Sequence, residues 1–202
     1  MNREEATEAL ALLSKVVSQA RDDTSLQNWG VIWMLHAFSN AFGFAATDVL
    51  IHRGIARPLP FAVCWAPIIA FNLISIVSLK RGGGGARSFI ERQIWSIWTT
   101  YMIALVLTAL LNYALGLDRL FMPAVGCVLS GMAFASMGSV MGRWWYVPAA
   151  LWGVLALIVG AWPGHGFLLV AIGWFVTQFT GGVLLDRARR RRLAGEPAAR
   201  LV

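Results

Sequence analysis

A series of apolar stretches, each about 20 residues long and separated by short polar segments, constrains this chain more than any other feature. An α-helix rises about 1.5 Å per residue, so such a stretch is long enough to cross the ~30 Å hydrocarbon core of a bilayer. Backbone polar groups cannot stay unpaired in lipid, and the stretches lack the period-two alternation of a membrane β-barrel strand. The sequence therefore predicts an all-α integral membrane protein.

Composition agrees with this prediction. Hydrophobic residues make up 58% of the 202 residues and charged residues only 13%, whereas a soluble domain carries about a quarter charged residues. The net charge is +7, which in a soluble protein would suggest nucleic acid. Here the basic residues flank the apolar stretches, where they set the orientation of the helices. We therefore expect the lipid bilayer as the partner and no nucleic acid.

We predict six transmembrane helices in an antiparallel bundle, because very short connections make consecutive helices antiparallel neighbours. The predicted spans are about 29–51, 59–79, 94–115, 120–142, 144–162 and 167–185. The six-helix domain covers residues 25–192, with the sixth helix continuing beyond the bilayer, and a cytoplasmic tail follows at 193–202. Residues 1–24 form a separate segment, in which apolar residues at helical spacing predict an amphipathic cytoplasmic or interfacial helix. That helix either lies on the bilayer surface or packs on protein.

The distribution of Lys and Arg predicts the orientation. Six spans place both termini on one side of the membrane, and 14 of the 17 basic residues fall on that side. The other side holds only Arg53, Arg57 and Arg119. By the positive-inside rule, both termini are expected in the cytoplasm of a multi-pass protein of the cell (inner) membrane.

The first span carries a polar stripe at spacings of three and four residues, which puts the side chains on one side of a helix. Asp48 lies off this stripe and is expected to pair with His52 one turn later. The stripe and the polar residues of other spans indicate either a polar path for a small solute or hydrogen bonds between helices. These candidates are His36, Ser39, Asn40, Thr47, Asn72, Asn112 and Gln178.

Other residues predict local structure. Pro67 lies inside the second span and is expected to kink it or to free a backbone carbonyl. Trp29 and Trp33 fall where an interfacial aromatic belt is expected. The fourth span is rich in small residues that allow close helix packing, which indicates the centre of the bundle or, alternatively, a dimer face. Its predicted packing glycines are Gly126, Gly131, Gly138 and Gly142.

A cluster of arginines follows the sixth span: Arg187, Arg189, Arg190, Arg191 and Arg192. Such a cluster stops translocation and contacts anionic lipid headgroups on the cytoplasmic side. It can in addition dock the acidic N-terminal helix or an acidic protein partner.

No cofactor, metal site or catalytic site is predicted. His36 is the deep histidine, whereas His52 and His165 fall in connections on the far side, and Cys64 and Cys127 lie inside apolar stretches. A transition-metal site needs several such ligands to converge. A nucleophile with its base and orienting group is not evident either. We therefore expect a non-catalytic membrane scaffold or regulatory subunit that works with a protein partner or by self-association. The alternative is a small-solute channel or transporter with a polar path along the first span.

Overall fold

The computed structural model describes residues 28–80 and 89–193 of the chain, and in these ranges every regular element is helical. The predicted amphipathic helix and the tail from residue 194 onwards lie outside the described residues. The α-helices are α1 (Trp29–His52), α2 (Pro58–Lys80), α3 (Phe89–Ala114), α4 (Phe121–Met141), α5 (Tyr146–Ala161) and α6 (Gly166–Leu193). Short 3₁₀ helices at Arg143–Trp145 and Pro163–His165 precede α5 and α6.

Six helices are long and apolar enough to cross a membrane, as the sequence predicts. Helix α5 reaches that length together with the 3₁₀ helix before it. Many large apolar side chains point away from the protein, among them Phe42 (68% exposed), Leu59 (70%) and Leu157 (77%). Such surfaces are unfavourable in water and favourable in lipid. The chain therefore has the architecture of a multi-pass membrane protein.

The helices pack in two groups that meet at α6. Helix α1 packs most extensively against α6 and also contacts α2, while α4 packs against α5 and α3. Helix α4 has the largest buried share of the six spans, 39%, which agrees with its predicted central position. Helices α2 and α3 are peripheral, and each packs mainly against one neighbour.

Helices α1 and α6 approach each other closely at Gly30 and Gly182. A Cβ atom added to Gly182 would lie 2.7 Å from the carbonyl oxygen of Gly30, and one added to Gly30 would lie 2.6 Å from that of Gly182. In lipid, helices associate largely through van der Waals packing, which small residues permit at short range. The two glycines thus set the contact between the first and last spans.

The interior of the bundle is unusually aromatic. Trp33 contacts Trp98, Phe134 and Trp145 at ring-centroid distances of 5.2–6.2 Å, and Trp174 contacts Trp98 and Trp152. Most of these contacts are edge-to-face, the arrangement favoured by the ring quadrupoles. Trp29 and Trp33 are only 5% and 3% exposed and face neighbouring helices; their predicted depth at the membrane interface stays a prediction.

The small residues of α4 have different roles. Gly138 and Gly131 pack closely on the following helix: added Cβ atoms would lie 2.8 Å from the Tyr146 ring and 3.3 Å from the Ala149 carbonyl oxygen. These intramolecular contacts favour the bundle-centre interpretation over a dimer face. An added Cβ at Gly126 would meet the preceding helix, α3, at an ordinary distance of 3.8 Å from Leu105. The packing contact predicted for Gly142 is not observed among the described residues: an added Cβ would meet none of their atoms within 4 Å. Gly142 instead ends α4 with a φ of +118°, which glycine adopts readily.

Helices α2 and α6 are both longer than their apolar parts. Helix α2 includes Pro67 and runs to Lys80, and the predicted kink or free carbonyl at Pro67 stays a prediction. Helix α6 runs through the whole arginine cluster to Leu193, so its charged final turns extend the last span beyond its apolar part.

Candidate functional site

Helices α1 and α2 meet along a row of hydrogen-bonded polar side chains, which we call the polar seam: His36, Ser39 and Asn40 of α1, and Asn72 and Ser75 of α2. The α1 residues share a face because they are three or four positions apart. Asn72 and Ser75 are likewise one turn apart on α2. Four of these residues belong to the predicted polar set, and the structure brings them together.

Asn72 is the centre of the seam. Its Oδ1 accepts a hydrogen bond from Ser39 Oγ at 2.6 Å, and its Nδ2 donates to Asn40 Oδ1 at 2.8 Å. The amide therefore uses both of its ends on α1. In lipid, one interhelical hydrogen bond stabilises helix association by about 0.6 kcal/mol on average.

His36 joins the seam through Nε2, which lies 3.0 Å from Ser75 Oγ and 3.2 Å from the carbonyl oxygen of Asn72. The Ser75 hydroxyl donates to that same carbonyl at 2.8 Å, so both atoms facing Nε2 act as acceptors. Nε2 therefore carries a proton and donates. This geometry assigns His36 a hydrogen-bonding role between helices.

Thr47 extends the contact between α1 and α2 towards the other end of α1. Its hydroxyl donates to the Gly43 carbonyl at 2.8 Å and accepts from Trp65 Nε1 at 3.0 Å. Thr47 is 4% exposed. It is therefore a buried helix–helix contact.

Asn112 and Gln178 lie outside the seam. Both are buried, at 6% and 4% exposure. In the part of the chain that the structure describes, Asn112 Oδ1 and Gln178 Oε1 have no hydrogen-bond partner. The structure does not join these two residues to the polar stripe of the first span.

A half-open apolar cleft of about 200 Å³ has walls from five helices. None of the stripe residues His36, Ser39, Asn40 or Thr47 lines it. Its lining residues are Phe44, Trp65, Tyr101, Leu105, Val106, Ala109, Met122, Pro123, Gly126, Ser130, Phe167 and Val170. The cleft holds no carboxylate, imidazole, thiol or amine from these residues.

Two buried hydroxyl groups belong to the cleft. Ser130 Oγ lies 3.3 Å from the hydroxyl oxygen of Tyr101 and donates to the Gly126 carbonyl at 2.7 Å. The remaining lining residues are apolar. The chemistry of the cleft therefore favours an apolar occupant with, at most, one hydrogen-bonding group.

Asn28 joins three helices at the end of the bundle that carries the arginine cluster. Its Nδ2 donates to the Leu79 carbonyl of α2 at 2.9 Å, and its Oδ1 accepts from Arg189 Nη1 of α6 at 2.6 Å. The φ of +67° places Asn28 in the left-handed region, which Asn tolerates better than most residues. Sequence reasoning missed Asn28, because its partners are distant in the chain.

The arginine cluster is partly engaged within the protein. Arg189 binds Asn28, and Arg190 forms an ion pair with Asp186 at 2.7 Å, one turn earlier on α6. Arg187 and Arg191 are exposed. Arg187 and Arg191 are therefore placed where they can contact lipid headgroups or a protein partner.

The opposite end of the bundle gathers Asp48, His52 and His165. His52 Nδ1 lies 3.2 Å from Asp48 Oδ2, so the predicted pairing of these two residues is confirmed. The rings of His52 and His165 stack with centroids 5.0 Å apart. Sequence reasoning missed this cluster because the short segment before α6 meets the end of α1 only in the folded chain.

A fold of six membrane helices hosts many unrelated activities, so function has to be argued from these sites. Comparisons of this chain with protein-family models, with curated proteins and with solved structures found no match.

Proposed function

We propose that this protein is a non-catalytic scaffold or regulatory subunit of the cell (inner) membrane, with both termini in the cytoplasm, that works by packing against a membrane-embedded protein partner. The observation that supports this proposal best is the use of the polar seam. His36, Ser39, Asn40 and Asn72 bond between α1 and α2, so the polar groups of the first span serve helix association.

A polar solute moving along α1 would have to replace these bonds. Asn72 uses both ends of its amide, and His36 Nε2 faces two acceptors. Breaking them without replacement leaves polar groups unpaired in an apolar surrounding, which costs about 1–3 kcal/mol for each group. This geometry supports a role of the polar seam in holding α1 to α2 over a role as a path for solutes.

The apolar cleft is the place where we propose that the partner packs. Val106 and Ala109, on its outer side, are exposed. Helices α2 and α3, which contribute Trp65 and Tyr101, each pack mainly against one neighbour within the chain. A transmembrane helix with a bulky apolar side chain would fill the cleft and cover the two peripheral helices. Van der Waals packing of this kind drives helix association in lipid.

The cleft also supports a non-catalytic role. Its hydroxyls, Ser130 and Tyr101, face each other, and its other lining residues supply no general base. A nucleophile needs an adjacent base within hydrogen-bond reach. The residues that line the cleft are therefore suited to binding an apolar group of a partner.

Site-specific photocrosslinking in native membranes tests the proposal. A photoreactive amino acid replaces Val106, at the outer side of the cleft, and in a matched control it replaces Leu157, which is 77% exposed on α5. We expect a protein adduct of one discrete mass from position 106 and lipid adducts from position 157. The partner then follows from mass spectrometry of the adduct.

Two outcomes would contradict the proposal. One is that position 106 yields only the lipid adducts that position 157 yields. The other is flux of a small neutral solute into proteoliposomes that contain the purified protein alone, if His36→Ala abolishes it. The second outcome would favour the alternative function, a small-solute channel along the first span.

A further inference from the structure

We propose that Asp48, His52 and His165 form a binding site for a divalent transition-metal ion of the zinc type, at the end of the bundle opposite the arginine cluster. One carboxylate oxygen of Asp48 and one ring nitrogen from each histidine lie within 4.8 Å of one another. Two imidazoles and a carboxylate are a donor set that suits Zn²⁺, with water as the fourth ligand.

The carboxylate is held in place by the backbone of the last helix. Asp48 Oδ1 accepts a hydrogen bond from the Leu168 amide at 3.2 Å, in the first turn of α6, where amides lack partners within their own helix. Asp48 Oδ2 lies 3.2 Å from His52 Nδ1, which also lies 2.9 Å from the backbone carbonyl oxygen of Asp48. Asp48 is 8% exposed, so the site has one fixed, nearly buried anionic ligand.

The two histidines are accessible from outside the bundle. The side chain of His52 is 45% exposed, and His165 is exposed too. The position of His165 is nevertheless defined, because the next residue, Gly166, packs so closely that an added Cβ would lie 2.9 Å from Pro123. An ion can therefore reach the site from the aqueous phase.

Metal binding needs only small movements. Zinc lies about 2.0–2.2 Å from nitrogen and oxygen ligands, which places tetrahedral ligand atoms about 3.3 Å apart. The stacked rings of His52 and His165, 5.0 Å apart between centroids, can bring their nitrogens to that spacing by rotation of exposed side chains. The bound ion would link the last turn of α1 to the segment that opens α6.

Zinc titration of the full-length protein, purified in detergent and stripped with a chelator, tests the site. We expect one Zn²⁺ per chain, with affinity at least about tenfold lower in His165→Ala and in His52→Ala, since loss of a residue that only supports a ligand already costs about 10–100-fold. His36→Gln is the matched control, because it removes the third histidine of the chain and leaves all three proposed ligands in place.

Thermal unfolding separates binding from folding. Excess Zn²⁺ is expected to raise the Tm of the wild-type protein and of His36→Gln, because a ligand that binds the folded state stabilises it. The Tm of His165→Ala should match that of the wild type without zinc and should not rise with it. Unchanged zinc affinity in His165→Ala, or the absence of saturable binding to the wild type, would overturn the proposal and leave the cluster as a stacked pair beside a helix-capping carboxylate.

Discussion

At the scale of single residues, Asn72 decides how firmly the second span is attached. It accepts from Ser39 and donates to Asn40, so Asn72→Leu removes two interhelical bonds, while Ser39 keeps its bond to the His36 carbonyl. We expect the free energy of unfolding to fall by about 1–2 kcal/mol, because each interhelical bond contributes roughly 0.6 kcal/mol on average. Titration of the detergent-solubilised protein with a denaturing detergent measures this change.

Ser136→Ala is the control for Asn72→Leu. The Ser136 hydroxyl is exposed and donates to the Met132 carbonyl of its own helix at 2.9 Å, so its loss removes no contact between helices. We expect no measurable change in stability. If Asn72→Leu behaves like this control, the polar seam does not hold α2 to α1.

The spacing of the stripe within α1 could be predicted from the sequence, because spacings of three and four residues are a property of one helix. The partners of the stripe could not, since Asn72 belongs to another helix and the choice of neighbour depends on the whole fold. The same limit applies to Trp33, whose position near the end of a span is local information and whose aromatic neighbours are not. A Trp near the end of a span has the same local pattern whether it meets headgroups or the rings of Trp98 and Trp145.

At the scale of helices, the contact between α1 and α6 depends on the absence of side chains at Gly30 and Gly182. An added Cβ at Gly182 would lie 2.7 Å from the Gly30 carbonyl oxygen and 2.8 Å from Met34 Cγ, and the backbone atom cannot move aside cheaply. Gly182→Ala is expected to lower the free energy of unfolding by about 1–3 kcal/mol, the usual cost of overpacking. The same denaturing-detergent titration measures it.

Gly160→Ala provides the matched control on α5, where an added Cβ meets no atom of residues 28–80 or 89–193 within 4 Å. Alanine is also the better helix former by about 1 kcal/mol, so this variant should be as stable as the wild type or slightly more stable. A loss of stability in Gly160→Ala equal to that in Gly182→Ala would show that helix packing at Gly182 is not the cause.

The number and bounds of the helices could be predicted because the apolar length of a span is local information. Which spans touch is not local. Gly30 and Gly182, like His52 and His165, are separated by more than 100 residues. No pattern within one helix indicates which other helix it contacts. The fourth span illustrates both cases. Its small residues predict a central helix from local pattern alone. That Gly142 ends the helix is evident only from its φ of +118° in the structure.

At the scale of the whole molecule, the basic residues predict which end of the bundle faces the cytoplasm. The end that carries Arg187–Arg191 should stay inside, since arginines beside a span resist translocation. The end that holds Asp48, His52 and His165 should then face outwards. Cysteine labelling tests this orientation: Arg57→Cys and Arg190→Cys, both at exposed positions, are each placed in a Cys64→Ala, Cys127→Ala background.

In intact cells, a membrane-impermeant maleimide is expected to label Cys at position 57 and not at position 190, and permeabilised cells should show labelling of both. The background protein without cysteine is the control for non-specific reaction. This orientation would give the proposed zinc site access to the ions outside the cytoplasm, while the arginine-rich end of α6 meets anionic headgroups inside. Labelling of position 190 in intact cells, with position 57 protected, would show the opposite orientation. The cluster of Asp48, His52 and His165 would then face the cytoplasm.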